Sequence, residues 1–362
     1  MMMYICTSFM NKTVIIGTGS YIPEVKVANA VFADHLFLEK GGTVLKHDNS
    51  LIIEKFKEIT GIAERRYARH NQQASDLGTL AAERAIEAAG IDKETLDYII
   101  VAHNFGDVAN GSTRSNLLPS VASRIKSALQ IKNPNCVGYD MAFGCPGWVE
   151  SLIQANLFIK AGAAKRCLVI GTETLSRVID PHDRDSMIYS DGSGAVIVEA
   201  QDTDPGIITH KTQTHAIDHA MLLYMDKSNT LEDKDDLYVK MNGRKVYEFA
   251  LSNVPLVVKA TLDAAGVDIL EIKKVLIHQA NDKMDAAILE RLFKLYGHDE
   301  VPAGVMPMTI SWLGNSSVAT IPTMLDLILT GQLKGHEIRK GDKVIFTSVG
   351  AGMNINAVLY LF

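Results

Sequence analysis

Cys145, His278 and Asn315 are the residues whose types and settings could do covalent chemistry in this chain. Cys145 stands between Gly144 and Pro146-Gly147, in a turn that opens the apolar run 148–161. A thiol at the start of a helix faces free N–H groups that favour negative charge, which predicts a lowered pKa and a ready thiolate. His278 ends the apolar segment Val275-Leu276-Ile277 and begins His278-Gln279-Ala280-Asn281. The ends of parallel strands are where α/β proteins place ligands. Asn315 lies in Gly314-Asn315-Ser316-Ser317, just before a second apolar run, 318–329. A cysteine with a histidine and an asparagine suits nucleophilic attack followed by stabilisation of an oxyanion. Cys6, Cys136 and Cys167 read as buried, inert thiols.

The elements that must position these residues occur twice. Ser75-Asp76 begins an apolar-periodic run that Gly90 ends, which predicts a helix capped by one of that pair and followed by a strand over 98–103. Residues 260–268, ATLDAAGVD, repeat the end of that helix, and a strand over 275–278 follows. Segments 144–162 and 314–331 share a plan of turn, apolar helix and glycine. Strands over 167–172 and 343–348 follow them. Each half then reaches a Gly-x-Gly turn and a last strand, in DGSGAVIVEA and in GAGMNINAVLYLF. A matched order of elements signals an internal repeat.

Alternating strands and helices predict an α/β fold with mainly parallel strands, and the apolar strands suit sheets covered on both faces. The two apolar helices are expected to be buried between the sheets. The halves are expected to span 12–201 and 202–362, about a pseudo-two-fold axis, with 1–11 as an extension. In that alignment Cys145 and Asn315 are equivalent and both face the shared axis. Residues 202–250 match nothing in the first half and read as a polar insert.

With 362 residues, 47% hydrophobic and 22% charged, the chain can bury large cores, which excludes a mainly disordered protein. A net charge of −6 gives no bulk basic field for nucleic acid. No apolar run reaches membrane-spanning length, and no basic leader or cleavage pattern opens the chain, so no membrane association is expected. Four cysteines without CxxC spacing fit a reduced, cytoplasmic protein. His210, His215, Asp218 and His219 offer an alternative zinc site, since His215 and His219 are four residues apart.

The motifs Gly144-Cys145-Pro146-Gly147, His278-Gln279-Ala280-Asn281 and Gly314-Asn315-Ser316-Ser317 resemble those of β-ketoacyl-acyl-carrier-protein synthase III, a family of thiolase-fold condensing enzymes. The runs Asp180-Pro181-His182-Asp183-Arg184 and Ser190-Asp191-Gly192-Ser193-Gly194 fit the same family, and the resemblance covers roughly residues 12–362. It implies a thiolase-like fold and fatty acid chain initiation. An acyl group would pass from a thioester, usually acyl-CoA, to Cys145. Malonyl-acyl carrier protein would then lose CO2, with His278 and Asn315 steadying the enolate during carbon–carbon bond formation. Main-chain N–H groups of Cys145 and the Gly350-Ala351 turn would form the oxyanion hole. Arg184, Asn281 and Leu118 would contact substrate, Leu118 from a segment that reaches across a homodimer. No metal or resident cofactor is implied; CoA and acyl carrier protein enter as substrates and partners.

This chain departs from the family around the CoA site. It reads Lys55-Phe56-Lys57-Glu58-Ile59-Thr60-Gly61-Ile62, with Ile59 where an arginine is usual and no tryptophan nearby. Leu118 stands where phenylalanine is frequent, and Lys283 could face an incoming phosphopantetheine or carrier protein. An alternative is therefore a synthase III-like acyltransferase or condensing enzyme of secondary metabolism, using an unusual donor or an oxygen or nitrogen acceptor. A papain-like protease also uses Cys, His and Asn, but its fold has no place for the duplication. A non-catalytic partner subunit would lose the nucleophile, which this chain keeps. 3-Hydroxy-3-methylglutaryl-CoA synthase shares the fold and adds an acid that this sequence does not locate.

Overall fold

The computed structural model describes residues 11–231 and 235–362; Cys6, most of the 1–11 extension and residues 232–234 of the polar insert lie outside the described residues. The first sheet contains β1 (Lys12–Tyr21), β2 (Tyr98–Ala102), β3 (Val137–Met141), β4 (Arg166–Thr174) and β5 (Asp191–Gln201), in the order β1-β5-β4-β2-β3. The second contains β6 (Gly206–Thr214), β7 (Ile272–Ile277), β8 (Lys343–Gly350) and β9 (Asn354–Leu361), in the order β6-β9-β8-β7. The two orders correspond strand for strand, except that β3 has no regular partner in the second half. There an irregular segment lies beside β7 instead, where the Val275 amide donates to the Val305 carbonyl at 2.8 Å.

The sheets are mixed. One strand in each, β5 and β9, runs against all the others. The expectation of mainly parallel strands therefore holds for strand direction, while the reversed strands make four of the seven neighbouring pairs antiparallel. β9 follows β8 after only the turn 351–353, which an antiparallel pair alone permits, whereas β5 returns along β4 after the longer connection 175–190.

Side-chain alternation builds five layers. Val169, Val196 and Val198 of the first sheet and Val344, Phe346 and Val358 of the second point inward to one cluster. Between them lie α4 (Gly147–Lys160) and α7 (Thr320–Leu329), buried as their apolar sequences require. Trp148 of α4 meets Phe346 edge-on, with ring centroids 6.0 Å apart. The alternate residues point outward. Leu168, Ile170 and Ile197 pack against α2 (Ala74–Ala89) and α3 (Val121–Ala128), and Ile345 and Leu359 against α5 (Gly243–Asp263) and α6 (Asp282–Lys294). A shorter helix, α1 (Asn49–Thr60), sits beside α6.

Helix α2 begins two to three residues earlier than Ser75-Asp76 suggested. Gln73 is its N-cap, and the Asp76 side chain accepts from the Gln73 amide at 2.8 Å, forming a reciprocal capping box. Residues 202–250, read as an insert without counterpart, are so only in part: 206–214 form β6, the counterpart of β1, and α5 starts at Gly243. The stretch between them is tied to the first half by Lys240, whose Nζ contacts Asp180 at 2.5 Å and Asp183 at 2.9 Å.

Candidate active site

Three chain segments meet where α4 and the loop before α7 converge. Cys145 precedes Pro146, the N-cap of α4. His278 extends β7 by one residue, its amide donating to the Thr347 carbonyl at 3.0 Å. Gln279 follows and turns the chain toward the third segment: its Nε2 donates to the Pro307 carbonyl at 2.7 Å, and its Oε1 accepts from the Thr309 and Ile310 amides at 2.9 and 3.0 Å. Asn315 is fixed by the other half of the molecule. Its amide donates to the Ile188 carbonyl at 3.0 Å, and its carbonyl accepts from the Ser190 amide at 2.8 Å. Gly314 makes this docking possible, since a Cβ there would lie 2.8 Å from the Cβ of Arg65 and its φ is +66°.

Cys145, His278 and Asn315 line one cavity of about 460 Å3. Its walls are largely apolar, with Ile52, Phe56, Met187, Met284 and Val349 among them. Lys55, Ile59, Arg184 and Arg244 also line it and are exposed at its outer end. Gly350 lines the inner end beside Cys145, and a Cβ on Gly144 would lie 2.8 Å from the Ala351 amide nitrogen. The Cys145 main chain and the Gly350-Ala351 turn are therefore packed against each other, as a shared oxyanion hole requires.

Electrostatics correct one expectation. Cys145 is partly open to the cavity yet enclosed by protein. Burial pushes its thiol up to about 11; a hydrogen bond with the Ser317 hydroxyl pulls the other way, and Glu173 adds to the rise. The resting nucleophile is a thiol rather than the ready thiolate expected at a helix start, because loss of bulk solvent dominates. Burial pushes His278 down to about 4, with the Ser317 main chain opposing. The imidazole is therefore neutral. Its Nδ1 is buried without a well-formed hydrogen bond, and the residue lines the cavity.

The remaining expected residues fall differently. Arg184 and Asn281 line the cavity, and Asn281 also caps α6, its Oδ1 accepting from the Met284 amide at 3.0 Å. Leu118 is 88% exposed and stands outside its own chain's cavity. Lys283 pairs with Glu58 at 3.4 Å. His215 and His219 both meet the Phe249 ring edge-on, and among the described residues no group of three His, Cys, Asp or Glu side chains could hold a metal ion. Two residues beside the nucleophile were not foreseen: Ser317, inside a motif read for Asn315 alone, and Glu173, on β4. No local pattern marks Glu173, because its neighbours come from distant segments.

A buried helix pair between two duplicated sheets, with Cys, His and Asn on one cavity, defines a thiolase-fold condensing enzyme. The comparisons agree. Residues 139–216 match the family described as 3-Oxoacyl-[acyl-carrier-protein (ACP)] synthase III, and residues 262–362 match its C-terminal family. The chain is 34% identical to beta-ketoacyl-[acyl-carrier-protein] synthase III 1 of Vibrio vulnificus, over 96% of this chain and 99% of that protein. It is 32% identical to the synthase III of Salmonella arizonae, over 97% and 99%. The crystal structure of the Aquifex aeolicus synthase III superposes with a TM-score of 0.80 at 28% identity, covering 97% of this chain and all of that one (100%). The chain belongs to the 3-oxoacyl-[acyl-carrier-protein] synthase III family. No helix among the described residues is long and apolar enough to cross a membrane.

Proposed function

We propose that this protein is an acyltransferase that starts fatty acid chains, loading an acyl group onto Cys145 and condensing it with malonyl-acyl carrier protein. The convergence of Cys145, His278 and Asn315 on one cavity carries this reading. The thioester carbonyl reaches Cys145 through the cavity, and main-chain N–H groups of Cys145 and the Gly350-Ala351 turn receive its oxyanion. After the thiol of the donor leaves, malonyl thioester enters by the same route. His278, neutral, and the Asn315 amide donate to the enolate that forms as CO2 departs. The carbanion attacks the acyl carbonyl and frees Cys145. The chemistry draws on these groups alone, with no resident metal or redox cofactor.

The outer end of the cavity supports an acidic carrier protein as partner, since Lys55, Arg184 and Arg244 are exposed around it. It supports CoA less well, because Ile59 offers no charge to a phosphate. That feature favours a second reading, in which an acyl carrier protein or an unusual thioester is the donor. A homodimer suits the free outer edge of β3, with Val137 47% exposed, and the projecting Leu118. The location read from cysteine usage is the cytoplasm.

Intact-protein mass spectrometry after incubation with acyl-CoAs and acyl carrier proteins tests the reading. An adduct that Cys145→Ala abolishes is expected, and its mass names the donor. No adduct from any thioester would sink the nucleophile assignment. Measured CO2 release and product mass separate condensation from transfer to an oxygen or nitrogen.

A further inference from the structure

Two stretches of the cavity wall hang on one buried lysine. The first is the short helical turn Arg184–Ile188, of which Arg184, Asp185, Met187 and Ile188 line the cavity. Asp183 caps that turn, its Oδ1 accepting from the Asp185 amide at 3.0 Å. The second is Met241, Gly243 and Arg244, reached through the paired strands Leu223–Asp226 and Tyr238–Met241. Lys240, 7% exposed, joins the two. Its Nζ donates to Asp180 Oδ2 at 2.5 Å, to Asp183 Oδ2 at 2.9 Å and to Asn229 Oδ1 at 2.9 Å, so its three protons have three acceptors. Asp180, 1% exposed, also accepts from the His182 and Asn229 amides at 2.9 and 2.7 Å and from the Ser228 hydroxyl at 2.7 Å. A third segment closes on the same group: the Leu38 amide donates to the His182 carbonyl at 2.8 Å, and Asn229 Nδ2 donates to the Leu38 carbonyl at 2.8 Å. A buried polar network with its members partnered holds its parts in one arrangement.

We propose that Lys240 is a positioning residue for substrate entry, which sets where Arg184 stands at the cavity mouth to receive the phosphate of a phosphopantetheine thioester. Arg184 is exposed, and its guanidinium makes no hydrogen bond or ion pair among the described residues. No side chain holds it, so its place is fixed by the backbone of its turn, and that turn by Asp183 and Lys240. Arg244, by contrast, pairs with Glu248 at 3.0 Å. Lys240 takes no part in bond making at Cys145. This rests on the entry of a thioester through this cavity, proposed above.

Charge gives Lys240 a second effect in the same direction. Burial works to raise the Asp180 carboxyl, but Lys240, the Asn229 and His182 amides and Ser228 together hold it below the usual carboxylate range. Asp180 is therefore ionised, and Asp183 stands next to Arg184 in the chain. Without the ammonium, two carboxylates beside Arg184 would face an incoming phosphate, and like charges oppose association. A short thioester without a phosphate reaches Cys145 and needs none of this.

The test compares one acyl group carried on CoA, on acyl carrier protein and on N-acetylcysteamine, with Cys145 acylation followed by intact-protein mass. In Lys240→Met the half-saturating concentration of the phosphopantetheine thioesters should rise about tenfold, with the limiting rate within about threefold. Acylation by the N-acetylcysteamine thioester should stay within about twofold. A rise with CoA and carrier protein alike places the effect at their shared arm; a rise with one alone names the source that uses it. Arg184→Ala should raise the same concentration, and Lys240→Met added to it should change it by less than about twofold, since the lysine acts through Arg184. Equal losses with long and short thioesters, fully additive effects, or no change would each overturn the positioning role. Lys240→Met leaves Asp180 buried without its cation. Should it not fold, Asp183→Asn decides: its single oxygen cannot serve both the Asp185 amide and Lys240, and a rise of about threefold confined to the long thioesters is expected. Absence of any Cys145 adduct in wild type would overturn the acylation reading. The Kd of phosphopantetheine itself, by titration calorimetry, then judges Lys240 separately, and an unchanged Kd in Lys240→Met would overturn its role.

Discussion

Gly350 leaves no room for a side chain beside Cys145: a Cβ there would lie 2.6 Å from the Cys145 amide nitrogen and 2.9 Å from the Cys145 Cβ. Its φ is −172°, an extended value open to any residue, so space alone demands glycine. Gly350→Ala should push the two carriers of the oxyanion N–H groups apart. Acylation is expected to fall about 100-fold or more, with about 1–3 kcal/mol of stability lost to overpacking. Single-turnover acylation and thermal melting measure the two effects separately. An unchanged acylation rate would remove this turn from the oxyanion hole.

His278 and Asn315 serve the second half-reaction in this reading. His278→Ala and Asn315→Asp should still form the acyl-enzyme, within about tenfold of wild type. Condensation should drop about 10^2- to 10^4-fold. Asn315→Asp is the more telling change, because a carboxylate oxygen can still accept from the Ser317 amide at the 2.8 Å contact while the donor to the enolate is lost. Equal loss of both half-reactions would contradict this division of labour.

His278 also makes stability depend on pH. It titrates near 4 in the folded protein and near 6.5 when unfolded, so between those values the unfolded chain binds more protons. Its contribution is present above about 6.5 and is lost as pH falls toward 4, by about 3 kcal/mol in total. His278→Gln should flatten the acid side of the melting-temperature curve. A variant curve parallel to wild type from pH 7 to pH 4 would refute the shift.

Asp285 carries the opposite sign. It is fully buried on α6, neither carboxyl oxygen makes a well-formed hydrogen bond, and burial and then Asp282 hold it well above the usual carboxylate range. The unfolded chain releases that proton at ordinary acid pH, so folding costs more as pH rises above the carboxylate range. Asp285→Leu should stabilise the protein by about 1–3 kcal/mol at pH 8, and by less at pH 4. Denaturant melts at the two pH values check both the gain and its direction.

Much of this architecture was readable because the chemistry and the duplication leave local marks. Cys145, His278 and Asn315 each sit in a short motif at the start of a helix or the end of a strand. The repeat of helix, strand and Gly-x-Gly turn gave two matching halves. What stayed hidden depends on contacts between distant segments. Glu173 acts on the nucleophile electrostatically only because β4 packs against the turn at Ser317. Asn104, in a stretch visibly particular to this chain, has no local feature that tells of its hydrogen bonds to Glu173 and Ser317. The thiol's raised pKa was missed for a related reason: a helix start is visible in sequence, whereas the enclosure of Cys145 is a property of the packed whole. Replacement of a regular strand by an irregular one beside β7 likewise carried no signal that the repeat would have exposed.

The main-chain bonds from Asn315 to Ile188 and Ser190 join the two halves at the reacting centre itself. A hinge that parted the halves would have to break them and take Asn315 away from His278 and Cys145. Substrate access by clamshell opening is therefore closed to this architecture. An acyl chain must be threaded in on a long, narrow arm, and must leave the same way, carried by something that stays outside. Choice among substrates then becomes a matter of gauge: how long the arm is, how wide the bore, and how far the fixed walls let the acyl end travel.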